Sequence, residues 1–152
     1  MLVKTPTREE VLESLNRTVL ESAAYFGSAH EALFDGHQSA HAVLAQLVFW
    51  HKQYVRTLRD LAQGDEPTLL VGTFAQINQR ARREYASYGM VMLAHEFSCA
   101  HRDLVEALNQ LPDWSIDFPI KRDGDHMSID QRLLEIEGHI HRHVQRFQAA
   151  HA

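Results

Sequence analysis

The chain has 152 residues, 45% of them apolar and 23% charged, and a net charge of −5. That length suits one domain with one core over residues 1–152, and that composition suits a soluble globular protein. The negative balance offers nothing to a phosphate backbone, which argues against general nucleic-acid binding, and no run of 18 apolar residues is present to cross a membrane.

The N-terminal stretch MLVKTPTREEV has no apolar signal core, so a cytoplasmic location is expected. Thr7 and Glu10, three apart behind Pro6, form a capping box that starts a first helix. Its apolar positions Val11, Leu15, Val19, Ala23 and Phe26 recur at helical spacing, and it ends before DGHQS, Asp35 to Ser39. Ser39 caps a second helix, whose stripe includes Val43, Leu44, Leu47, Val48, His51, Tyr54, Val55 and Leu58. QGDEP, Gln63 to Pro67, breaks it.

Thr73 to Leu111 is helical again and is divided at Gly89, with Met90, Leu93, Phe97, Leu104 and Leu108 on one side of the second piece. The single cysteine, Cys99, lies in this apolar stretch and is expected to be an inert, buried thiol. Pro112 stops the helix. Trp114 to Met127 is irregular, with RDGD as a turn, and is expected to lie across the helices and border a pocket. Trp50 and Trp114 are expected in the core, with pocket walls as their alternative role. Ser128 caps a last helix with Ile129, Leu133, Ile136, Ile140, Val144 and Phe147 inward. Four amphipathic stripes and no period-two run predict an all-α chain, packed as an up-down-up-down four-helix bundle.

Eleven histidines are many for this length, and three fall within EIEGHIHRHVQRF, Glu135 to Phe147. His139 and His143 are four apart, within about 40° on one helix face. That spacing lets two imidazoles reach one Zn²⁺ or similar ion. His143 leans inward beside Ile136, Ile140 and Phe147, whereas His141 points roughly 160° away, toward water. Chance alone supplies roughly 0.8 pairs at this spacing, and the chain has two, the other being His37 with His41. The spacing therefore leaves two readings open, a metal pair or a pair satisfied by a carbonyl or carboxylate. His51, in the middle of an apolar stripe, is the candidate third ligand. An unsatisfied imidazole there costs ~1–3 kcal/mol, which a shared ion or a hydrogen bond to a neighbouring helix would remove. His95 and His101 lie on different faces and make no pair, and His30, His126 and His151 are expected in solvent.

SAHAVLAQLVFWH, Ser39 to His51, followed much later by LLEIEGHIHRHVQRF, resembles the DinB-like superfamily, which includes YfiT-type and ClbS/DfsB-type proteins and thiol-dependent transferases. The resemblance spans nearly the whole chain. It implies a four-helix bundle, commonly dimeric, with a divalent metal (Zn, Ni, Mn or Fe) held by one histidine of the second helix and two of the last. The last two map onto His139 and His143. The second-helix histidine usually stands in a Leu-Ala-His-Leu pattern, where this chain has LAQL and therefore Gln46. Three alternatives follow: Gln46 acts as an oxygen ligand, His51 takes over from about 140° around the helix, or the metal has been lost.

Three functions of different classes remain open, the first two of them implied by the resemblance. The first is a metal-dependent hydrolase or thiol S-transferase acting on a small molecule, the ion lowering the pKa of a bound thiol or water. The second is a metal-free bundle that binds a small molecule or protects against a reactive compound, which the Gln46 departure favours. The third is an interaction module forming a homodimer through the apolar first helix, Val11, Leu12, Leu15, Val19 and Leu20.

Overall fold

The computed structural model describes residues 5–151. The elements in order are α1 (Arg8–Gly27), α2 (Ala40–Ala62), α3 (Phe74–Glu84), α4 (Met90–Asn109), β1 (Asp117–Phe118), β2 (Met127–Ser128) and α5 (Ile129–Ala150). Among the described residues the fold is all-α apart from the two-residue strands. No described helix is long and apolar enough to cross a membrane.

Local chemistry sets the helix starts. The Thr7 hydroxyl accepts from Glu10 N, and the Glu10 carboxylate accepts from Thr7 N. Ser39 caps α2 through Ala42 N, and Ser128 makes a reciprocal capping box with Gln131. Each such side chain satisfies a helical N–H that has no partner inside the helix. Thr73 and Gln76 form a further capping box at α3. The break at Gly89 is real, because Gly89 is the N-cap of α4.

The helix directions differ from the expected alternation. Lys52 of α2 bonds Glu96 of α4, and further along Arg59 faces Asp103, so α2 and α4 run parallel. Asn16 meets His101 while Arg8 reaches Pro112, so α1 and α4 are antiparallel. Ser14 meets Glu137 and Phe26 meets Phe147, so α1 and α5 are parallel. The long helices therefore run up, down, down, up, and the up-down-up-down expectation is corrected. The reason lies in α3. It packs back along α2, with Trp50 Nε1 donating to Asn78 Oδ1 at 2.8 Å, and returns the chain to the start of α2. There His41 Nε2 meets the Tyr88 carbonyl at 2.7 Å. A short helix is spent on the return, so the next long one repeats the direction of α2.

One core serves all four long helices. Phe26, Phe97 and Phe147 are fully buried, with Phe26 edge-on to Phe147 at 5.5 Å between ring centres. Val11, Leu15 and Val19 of α1 are buried in this core, which leaves Leu20 as the exposed apolar residue of the proposed partner face. Trp114 is core as well, donating from Nε1 to the Leu108 carbonyl. Cys99 departs from expectation, being only half-buried, with Sγ 3.5 Å from His95 Nε2. Position 99 falls off the inward stripe of α4, which runs through Phe97, Ala100, His101 and Leu104.

The irregular segment after α4 pairs Asp117 with Ser128 and Phe118 with Met127, antiparallel. The RDGD turn forms, with Asp123 at φ 63 and Gly124 N bonding the Lys121 carbonyl. Leu70 is tied to this loop by Leu70 N to Ile120 O and Arg122 N to Leu70 O. The two connections together make one wall beside α2 and α5.

Candidate functional site

A cavity of about 220 Å³ lies where α2 and α5 face each other. From α2 come Gln46, Trp50, His51 and Tyr54; from α5, Arg132, Glu135 and His139. Phe74 and Asn78 of α3 and Lys121 and Asp125 of the loop complete the wall. Of the four sequence candidates, Gln46, His51 and His139 line this space. The fourth, His143, sits one turn beyond His139 and touches it.

The expected pair on α5 forms. His139 Nε2 and His143 Nε2 are 3.2 Å apart, with the rings nearly perpendicular. His143 is buried, whereas His139 is exposed. Burial, then the neighbouring His139, pushes His143 down to about 4 despite the opposing pull of Asp35. The cavity wall withdraws enough of the His139 ring from water to lower its pKa as well, assisted by Arg142 and Arg146. Both rings are therefore neutral at pH 7. Each has one lone pair, and at this separation the two Nε2 atoms either share one proton or converge on a cation. Two nitrogens at ordinary Zn–N lengths and a tetrahedral angle sit about 3.4 Å apart, so the pair fits a shared ion.

The rest of the donor set is thinner. Among the described residues no group of three His, Cys, Asp or Glu is arranged to hold a metal. The Gln46 amide nitrogen donates to Gln38 Oε1, which leaves the oxygen of this buried side chain for another partner. His51 takes a different course. Its Nε2 lies 3.0 Å from His101 Nδ1, and His101 Nε2 lies 2.6 Å from Asn16 Oδ1. Burial, reinforced by His101, pushes His51 down to about 3, and burial pushes His101 down to about 4.

Among the described residues three buried side-chain atoms have no partner, Arg132 Nε on the cavity wall, His143 Nδ1 and Asp35 Oδ2, and the side chains of the last two act on each other electrostatically. Asp35 Oδ1 accepts from His37 N and Gln38 N, and Gln38 in turn accepts from Gln46. The Asp35–Ser39 turn thus positions Gln46 and sets a carboxylate near His143, an arrangement that favours a cation-binding imidazole. With the His143 proton on Nδ1, its Nε2 lone pair would face His139, so the two Nε2 atoms fit a shared divalent ion, and Gln46 lines the same cavity as His139.

Asp35, Gln38 and His101 were not singled out as site residues in the sequence. DGHQS carries a turn signal, but nothing in it states that the turn folds back onto α5. His101 falls on the inward stripe, as Leu104 does, and that was its one legible signal. His141 is exposed as expected, though its Nε2 also meets Thr18 Oγ1 at 3.0 Å. Glu137 is spent on Ser14 and Thr18 of α1. No family model, curated protein or solved structure matches the chain.

Proposed function

We propose that the chain is a DinB-like four-helix bundle that takes a small molecule into the α2–α5 cavity beside a divalent ion. His139 and His143 hold that ion through Nε2, and Gln46 adds its amide oxygen. The observation that carries this reading is the 3.2 Å approach of two neutral imidazole nitrogens at the cavity. His51 is set apart from this ligand set because its Nε2 bonds His101 of α4 rather than joining the α5 pair. A divalent ion in this place supplies acidity to a coordinated thiol or water, the requirement of a hydrolase or thiol S-transferase. Trp50, Tyr54 and Phe74 keep the cavity apolar, and Lys121 and Arg132 line it opposite Glu135 and Asp125. A homodimer and a cytoplasmic location belong to the same reading.

Co²⁺ titration of tag-free protein tests it. Visible d–d bands that vanish in H139A and H143A are expected. Absence of bands in the parent protein would remove the metal and leave the second reading, a metal-free small-molecule binder. That alternative is favoured by the internal hydrogen bonds of Gln46 Nε2 and His51 Nε2, which occupy one polar atom of each side chain without an ion.

A further inference from the structure

The buried chain His51–His101–Asn16 runs from the cavity wall on α2, through α4, to α1. Its hydrogen bonds have a direction. Asn16 Oδ1 only accepts, so His101 Nε2 must donate to it across 2.6 Å. A neutral imidazole has one N–H, which makes His101 Nδ1 an acceptor. That atom lies 3.0 Å from His51 Nε2, which therefore donates. His51 has then used its single proton, and Nδ1 is the polar atom it has left. Phe97 closes in edge-on at 5.1 Å between ring centres, which holds the imidazole in place. Burial keeps both rings neutral at pH 7, so the direction is not scrambled by a second proton.

We propose that His51 selects the ligand of this cavity by accepting a hydrogen bond at Nδ1 from an O–H, N–H or S–H group on a small, largely apolar molecule. His101 and Asn16 are positioning residues that fix the tautomer. The size of the space, about 220 Å³, and its Trp50, Tyr54 and Phe74 lining set the apolar part of the ligand. A molecule of the same shape without a donor would cover the His51 lone pair and leave it unpaired, which is where discrimination arises. This inference rests on the cavity being the ligand site, but not on the ion.

Two measurements test it, both with a chelator present so that the metal question stands apart. Long-range ¹H–¹⁵N NMR of the histidine rings reads the tautomers directly. His51 and His101 are expected neutral with the proton on Nε2, and N16A is expected to release this preference. Phenol and anisole serve as matched probes, alike in shape but differing in the donor. Phenol is expected to bind roughly tenfold tighter than anisole, and H51F is expected to erase the difference. Should H51F fail to fold, N16A carries the same comparison through a reduced preference. A proton on His51 Nδ1 in the parent protein would overturn the proposal, as would equal binding of the two probes or binding of neither at millimolar concentration. A missing Co²⁺ spectrum would leave it standing, and its own failure would leave the His139–His143 reading standing.

Discussion

His143 concentrates the chemistry of α5 in one ring. Its Nε2 faces His139, its Nδ1 is buried without a partner among the described residues, and Asp35 supplies the nearby negative charge. Replacing Asp35 by Asn keeps the turn's acceptor oxygen but removes the charge. Co²⁺ affinity is expected to fall by ~10-fold or more, read from the intensity of the d–d bands against added metal. The neutral histidines also predict a pH dependence. His51, His101 and His143 all have folded pKa values below the 6.5 of the unfolded chain, at about 3, 4 and 4. Above pH 6.5 they are neutral in both states and contribute no slope. As pH falls below that, the unfolded chain binds protons that the folded one refuses, so stability declines toward pH 4. Each histidine adds up to roughly 1.4 kcal/mol per pH unit in that window. Urea midpoints measured from pH 7.5 to 4.5 check this, and H101N is expected to flatten the curve.

Among the elements, the capping boxes are the most independent of tertiary packing. Ser128 and Gln131 satisfy each other's backbone at the start of α5, the helix that carries His139 and His143. S128A is expected to lower stability by about 1 kcal/mol in urea denaturation. The start of α3 is under tighter control. Gly72 has φ +119, and a Cβ there would stand 2.9 Å from Gln76 Oε1, the atom that accepts from Thr73 N. G72A therefore strains the backbone and pushes on the capping box together. A loss of ~1–3 kcal/mol is expected, with a shift of the Trp50 fluorescence because Phe74 and Asn78, which pack on Trp50, follow this turn.

At the scale of the molecule, the up-down-down-up course brings α2 beside both α4 and α5. The histidine chain leaves α2 toward α4, the cavity opens between α2 and α5, and His51 belongs to both. Had α3 been a simple loop and the next helix run antiparallel to α2, Lys52–Glu96 and Arg59–Asp103 could not both form. The core that holds this arrangement is centred on aromatic contacts between helices distant in sequence. F147A removes the ring that meets Phe26 and is expected to cost about 3–5 kcal/mol by thermal or urea unfolding. Its companion F26A is expected to be less than additive with it, because each substitution empties the same contact.

The sequence by itself determined what depends on near neighbours along the chain. Caps at Thr7, Ser39 and Ser128, the break at Gly89, the RDGD turn, the inward stripes and the shared face of His139 and His143 all follow from three- and four-residue spacing. Tertiary structure decided everything that needed two elements to meet. Periodicity is blind to helix direction, so the parallel course of α2 and α4 could not be read from the stripes. A buried imidazole advertises only that it needs a partner, and which one it finds depends on which helix lies opposite. His51 found His101 because α4 runs parallel beside it, and Gln46 shares a cavity with His139 because α5 faces it from the other side.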